Sequence, residues 1–277
     1  MKIFSWHSWF MLIGFTMMLV SCGRDGVVED SSPKPLIVGM ELAYPPFEMV
    51  DETGNPSGIS ADLAASLAES LGRPLEIRNI EFSGLIEALR AGQIDCILSS
   101  LTATDERREV IDFSDGYVST GLCLLLNQSV PFTETDAGAV DQLNNPERTI
   151  VVKQGTTGHL FAMNSLDQAV VRVLEKEDAC VLEVVQGKAD AFIYDQLSIY
   201  RHWQRHKNAT KPILKPFQQE SWAIGLQKNS PELKAAINTF LKEFREDGGF
   251  EKLAQKYLPD ELKAFNELGY PFLFEIE

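Results

Sequence analysis

Two stretches decide how this chain is built: Ile86-Glu87-Ala88-Leu89-Arg90-Ala91-Gly92-Gln93-Ile94-Asp95-Cys96-Ile97-Leu98 and Cys180-Val181-Leu182-Glu183-Val184-Val185-Gln186-Gly187-Lys188-Ala189-Asp190-Ala191-Phe192-Ile193-Tyr194. In the first, Leu85, Ile86 and Leu89 share one face of a short helix that ends at Gly92, a residue suited to the turn after a helix. Ile94–Leu98 then reads as a buried strand. The second stretch repeats the pattern: a helix, Gly187-Lys188-Ala189-Asp190, and the apolar run Ala191–Tyr194. The two Gly-x-x-Asp turns lie 95 positions apart. The same unit placed twice suggests two lobes of similar architecture.

The surrounding segments extend this reading. Leu36–Met40 is an apolar run fit for a buried strand, and Tyr44-Pro45-Pro46-Phe47 must be a loop, because Pro-Pro cannot continue a central strand. A helix carrying Leu63, Leu67 and Leu71 stops at Gly72-Arg73-Pro74, and Leu75–Asn79 alternates as a strand. Alternating strands and helices predict an α/β fold with mostly parallel sheets. Residues 127–148 are loop-like, with Pro131, Gly138, Asn144-Asn145 and Pro146. They separate a first lobe from a second, and Ser221–Leu226 reads as a strand returning to the first. Ser230 is placed to cap the next helix, with Pro231 at its first position. Two chain crossings imply a hinged pair. In open α/β sheets ligands bind beyond the carboxyl ends of strands. That rule puts Ser99-Ser100-Leu101-Thr102 at the mouth of one lobe and Asp195 at the mouth of the other.

Charge excludes one class of partner. The chain has 277 residues, with 25 Lys+Arg against 40 Asp+Glu, a net charge of −15. Phosphate binding needs clustered Lys and Arg, so nucleic acid is not expected.

The amino terminus reads as a targeting segment. Trp9–Val20 is an apolar core too short for a membrane span, which needs about 20 apolar residues, and it suits a secretory signal. A signal anchor over Ile3–Val20 is the alternative. Leu19-Val20-Ser21-Cys22 resembles the bacterial lipobox, in which cleavage precedes a cysteine that becomes diacylated. The expectation is a signal peptide over 1–21 and a lipid-anchored tether over 22–35. Cys96, Cys123 and Cys180 read as buried small hydrophobes, with a Cys96–Cys123 bridge left open.

The densest chemistry lies in Ser99-Ser100-Leu101-Thr102-Ala103-Thr104-Asp105-Glu106-Arg107. Thr104 is a good N-cap, and Asp105 and Glu106 sit where a helix dipole favours acids. Arg107 in the first turn would face back toward the strand end. Hydroxyls, free backbone N–H groups and a guanidinium converge there, a setting that suits a carboxylate. Asp195 is either the N-cap of a helix over Gln196–Gln204 or an acceptor for a ligand ammonium. His202 and His206 have metal-like spacing but no third ligand, so no metal is expected. Lys153-Gln154-Gly155-Thr156-Thr157-Gly158 lacks the Gly-Lys-Ser/Thr ending of a phosphate loop.

Taken together, Val38-Gly39, Tyr44-Pro45-Pro46-Phe47-Glu48, Gly58 with Asp62-Leu63-Ala64, Leu89 with Gly92 and Asp95, Thr102-x-Thr104-x-x-Arg107, Ile111-Asp112-Phe113-Ser114, Gln154-Gly155-Thr156-Thr157, Gly187 with Asp190-Ala191, and Asp195 are similar to the bacterial family 3 solute-binding proteins. These are the extracytoplasmic receptors of polar amino acid ABC transporters. The resemblance covers roughly 36 to 257. It implies a two-lobed periplasmic-binding-protein fold of type II, with lobe 1 from 36–126 and 219–277 and lobe 2 from 127–218. It implies no catalysis, no cofactor, a monomer, and two partners: a free amino acid and a transporter permease.

Carried over residue by residue, the resemblance implies that Arg107 clamps the ligand α-carboxylate, with Ser99, Ser100, Thr102 and Thr157 supplying hydroxyls. Asp195 would hold the α-ammonium. Tyr44 and Phe82 would sandwich the ligand body, and Glu41 would face its side chain. Lys153 and Tyr194 would tune specificity, and a Lys153–Glu41 pair would favour a neutral amide over a basic ligand. Together these assignments favour a basic or amide amino acid. An enzyme similar to the periplasmic cyclohexadienyl dehydratases, with Glu41 or Asp195 as general acid, is the alternative. The tail over 259–277 exceeds the usual family end and is expected to strap the first lobe.

Overall fold

The computed structural model describes residues 33–131 and 137–275. The targeting segment and most of the tether, Cys22 included, lie outside the described residues. The strands are β1 (Leu36–Met40), β2 (Met49–Val50), β3 (Pro56–Ser57), β4 (Leu75–Asn79), β5 (Cys96–Ile97), β6 (Asp112–Asn127), β7 (Thr149–Lys153), β8 (Val170–Leu174), β9 (Ala191–Asp195) and β10 (Thr210–Leu226). The helices are α1 (Ile59–Ser70), α2 (Leu85–Arg90), α3 (Asp105–Val110), α4 (Thr157–Ser165), α5 (Glu177–Val185), α6 (Gln196–Arg205), α7 (Pro231–Glu246), α8 (Gly249–Tyr257) and α9 (Pro259–Leu268). The expected α/β class is present.

The principal sheet runs β4-β1-β5-β10-β6-β9-β7-β8. β1 pairs in parallel with β4 and β5, and β7 pairs in parallel with β8 and β9. Each triplet therefore has its first strand in the middle. The long antiparallel pair β6 and β10 joins the triplets and carries the chain between them. The two half-sheets inferred from sequence share this pair, so hydrogen bonding continues across it.

The repeated Gly-x-x-Asp unit is the same device in both triplets. Gly92 and Gly187 have φ of 70° and 69°, left-handed values that glycine adopts without steric cost. Their N–H groups close the ends of α2 and α5 on Leu89 and Val184. The aspartates then tie neighbouring strands. Asp95 accepts from the Ile37 N–H at 3.0 Å and from Arg73 at 2.6 Å. Asp190 accepts from the Thr149 N–H at 2.7 Å and from Arg148 at 3.0 Å. In each case the aspartate fixes the start of the central strand of its triplet.

Burial follows the layers. Leu36, Val38 and Met40 of β1 pack with Ile59, Leu63 and Leu67 of α1 and with Ile237 and Phe240 of α7 in one cluster. Leu124, Ile150 and Ile193 anchor a second cluster, and Cys123, Val151, Cys180 and Phe192 a third, on opposite faces of the second triplet. Cys96, Cys123 and Cys180 are buried and unbridged.

Some boundaries differ from the sequence reading. The strand expected at Ile94–Leu98 shortens to β5, because Asp95 turns aside to serve Ile37 and Arg73. β10 begins well before Ser221 despite Pro212 and Pro216. Its pairing with β6 shifts register between Ile213 and Gln218, which accommodates Pro216. Residues 137–143, read as loop, form a 3-10 segment. Ser230 precedes α7 without a side-chain capping bond. The tail does act as a strap: Leu273 O accepts from the Ser119 N–H at 2.7 Å, and Phe272, Leu273 and Phe274 are buried in the first cluster.

Candidate functional site

The strand ends of both triplets converge on one cavity. Glu41 follows β1, Phe82 follows β4, and Ser99 and Ser100 follow β5. Opposite them, Lys153 ends β7 and Asp195 ends β9, with Thr157 opening α4. Tyr44, Thr102, Arg107 and Tyr194 complete this set, so every ligand-site residue assigned from sequence lines the cavity. Glu48, Leu122, Thr156, Glu220 and Trp222 also line it and were not assigned.

Arg107 is buried in the first turn of α3. Thr104 caps that helix, its hydroxyl accepting the Arg107 backbone N–H at 3.2 Å. The guanidinium donates to Thr102 O at 2.8 Å and, across the cleft, to Gly155 O at 2.9 Å. Burial lowers its pKa from 12.5 to about 10, and the charge of Glu220 opposes that fall. Phe82 lies under two cations, 5.7 Å from the Arg107 guanidinium and 5.4 Å from the Lys153 ammonium.

Lys153 and Glu41 form a buried ion pair across the cleft. A second cross-cleft bond runs from the Tyr44 hydroxyl to Asp195 Oδ2 at 2.8 Å. Of the two jobs that the sequence left open for Asp195, the structure shows the capping one. Its Oδ1 caps α6 by accepting the Ser198 N–H at 3.0 Å, and its carboxyl faces the cavity. Burial raises its pKa from 3.8 to about 6. The Tyr44 ring stacks on Phe47 at 5.7 Å and meets Tyr194 and Trp222 edge-on. It thus forms a wall with those rings, while Phe82 forms another with the cations.

Glu48 is fully buried. It accepts from the Ser60 hydroxyl and from the Ser100 hydroxyl at 3.0 Å, and burial raises its pKa from 4.5 to about 8. Ser100 has φ of 49°, a left-handed backbone that is strained for a residue with a Cβ. Its bond to Glu48 helps to hold that turn at the cavity wall.

The signals for the unassigned residues were weak for identifiable reasons. Glu48 stands in the quoted Tyr-Pro-Pro-Phe-Glu run but reads as a loop acid. Glu220 lies one residue before the strand inferred at Ser221–Leu226. Extending that strand backward would have put Glu220 and Trp222 on one face by the period of two. His202, weighed as a metal ligand, instead contacts Glu177 at 2.6 Å. Among the described residues no cluster of three or more His, Cys, Asp or Glu could hold a metal ion.

Two cation-bearing and four carboxyl-bearing side chains face one cavity between two α/β triplets. The model of the bacterial extracellular solute-binding proteins, family 3, matches residues 36–260. The chain belongs to that family. It is 27% identical over 251 residues to the L-arginine-binding protein of Pseudomonas aeruginosa, covering 85% of this chain and 92% of that one. Among solved structures, a P235GK mutant of ArgBP from T. maritima has 31% identity and a TM-score of 0.73, covering 81% of this chain and 95% of the other. The ancestral amino acid-binding protein AncCDT-1, described as a precursor of cyclohexadienyl dehydratase, has 31% identity and a TM-score of 0.71, covering 80% and 95%.

Proposed function

We propose that this chain binds a free polar amino acid, basic or amide, and delivers it to an ABC transporter permease while anchored outside the cytoplasm through lipidated Cys22. The observation that carries the reading is the convergence of Arg107, with its hydroxyl neighbours, and Asp195 on one buried cavity. Arg107 would take the α-carboxylate, because a guanidinium grips a carboxylate bidentately. Asp195 would take the α-ammonium, with help from Ser100. Lobe 1 would comprise 36–126 and 219–277, lobe 2 would comprise 127–218, and the two would close by bending at β6 and β10.

The ligand class rests on charge and aromatic surface. With Glu48 holding its proton, Glu41, Asp195 and Glu220 face Arg107 and Lys153, so acidic groups still exceed basic ones. A ligand with an extra cation, or a neutral one, fits that balance better than a dicarboxylate. The Lys153–Glu41 pair keeps the neutral amide in contention with the basic side chain. The arginine receptors among the relatives support the basic end of this range. A thermal-shift screen of the twenty amino acids tests the class, since a ligand for the native state raises stability by mass action.

A second reading is favoured by one observation. Glu48 and Asp195 hold their protons to unusually high pH in the cavity, as a general acid requires, and AncCDT-1 is a structural neighbour. Conversion of prephenate or arogenate by the purified protein would support this dehydratase reading, and saturable amino acid binding without turnover would support the receptor.

A further inference from the structure

The contacts of Glu220 were not foreseen from sequence, and they bear on how the cavity treats a carboxylate. Glu220 lies on β10 with only 9% of its surface exposed. Its Oε2 accepts from Thr102 Oγ1 at 3.0 Å and from Thr157 Oγ1 at 3.0 Å. Its Oε1 accepts from Gln218 Nε2 at 2.9 Å. Thr102 is pinned beside β10 by an isolated bridge to Trp222, whereas Thr157 opens α4 in the other triplet. The Glu220 carboxylate therefore ties together the two halves of the chain that face the cavity.

A hydroxyl has one hydrogen to donate. While Thr102 and Thr157 both donate to Glu220, neither can donate to a second carboxylate. Under the receptor reading, on which this inference rests, these two threonines and Arg107 are the groups that receive the ligand α-carboxylate. Two carboxylates brought to the same donors also repel each other. We propose that Glu220 is a resident carboxylate that competes with the ligand α-carboxylate for Thr102 and Thr157. It must turn away for that carboxylate to be seated, and it thereby reduces the advantage of an amino acid over the amine lacking the carboxylate. Ligands that bring a second cation lose least, because the displaced negative charge stays in the cavity.

Calorimetry on matched pairs tests this: arginine with agmatine, lysine with cadaverine, histidine with histamine. In Glu220→Gln the affinity ratio of amino acid to matched amine should rise by about tenfold or more, and a ratio within about twofold of wild type overturns the proposal. Glu220→Ala provides the same comparison if the amide variant does not fold. A crystal structure of the wild type with the tightest-binding of these amino acids provides a reading without any variant. Glu220 Oε2 should then lie beyond about 3.5 Å from both threonine hydroxyls. Both contacts persisting while a ligand carboxylate sits on Arg107 would contradict it. If wild type and variants bind no amino acid at all, the receptor reading fails and takes this inference with it. If amino acids bind and the ratio is unmoved, only the role of Glu220 fails.

Discussion

Arg107 sits buried in a six-residue helix, with N–H groups bonded to carbonyls on both sides of the cleft. As the proposed carboxylate clamp it has no substitute among the cavity residues, since Lys153 is paired with Glu41. Removing one partner of a buried charge pair costs about 3–5 kcal/mol. By affinity arithmetic, Arg107→Ala should therefore weaken amino acid binding by about 10²- to 10³-fold or more. Calorimetry showing affinity within a few-fold of wild type would refute the clamp. Glu48 makes a different prediction, about pH. Burial raises its pKa from 4.5 to about 8. The folded protein keeps a proton that the unfolded chain releases, so the stabilisation is complete below 4.5 and is lost as pH rises toward 8. Asp195, raised to about 6, acts with the same sign over a narrower window. The melting temperature should fall as pH rises through this range, and Glu48→Gln should make the fall shallower. An unchanged slope in the variant would show that Glu48 is not the group responsible. At this scale the sequence was most informative where function and local geometry used the same residue. Thr104 caps the helix that carries Arg107, and Asp195 caps α6 while facing the cavity. Glu220 was illegible because nothing local marks it: its partners Thr102 and Thr157 lie 118 and 63 positions away.

The elements that could be read are those whose pattern is set by their own neighbours. α1 and α7 show helical spacing, and β1 and β4 were placed correctly as short runs bounded by Pro, Gly or loop residues. β6 and β10 were only partly legible, because their length is fixed by pairing with each other across both halves of the molecule. Every residue of β6 from Leu122 to Asn127 is buried, so no alternation marks it. In β10 the prolines argued against a strand that the register shift makes possible. The carboxy-terminal strap is a further element held by packing. Phe272 is 5% exposed and meets Phe265 and Phe274 at 6.3 and 6.0 Å, while Arg245 donates to Phe274 O at 2.8 Å. Phe272→Ala should lower unfolding stability by about 3–5 kcal/mol, the range for deleting a buried phenylalanine ring. Ligand affinity should stay within a few-fold, because none of Phe272, Leu273 and Phe274 lines the cavity. Denaturant unfolding with an unchanged midpoint would show that the strap contributes no packing energy.

For the whole molecule, the two-lobed α/β architecture was readable from one repeated unit, since Gly92–Asp95 and Gly187–Asp190 do the same structural work in each triplet. The closing of the halves on one another was readable only in part: a Lys153–Glu41 pair was weighed, whereas the Tyr44–Asp195 bond, between residues 151 positions apart, had no local signal. Among the described residues no helix is long and apolar enough to cross a membrane. The proposed anchoring rests instead on the run Leu19-Val20-Ser21-Cys22. Cys22→Ser should move the protein from the detergent phase to a soluble or unprocessed form, and unchanged partitioning would contradict lipidation. The central claim is that the cavity receives a basic or amide amino acid. Isothermal titration of the purified protein with arginine, lysine, histidine, glutamine, glutamate and aspartate tests it most directly. The account predicts that at least one of the first four binds with a dissociation constant of about 1 μM or tighter, and more tightly than either acidic amino acid. Binding of glutamate or aspartate as tight as that of arginine and glutamine, or no binding by any of the six, would contradict it.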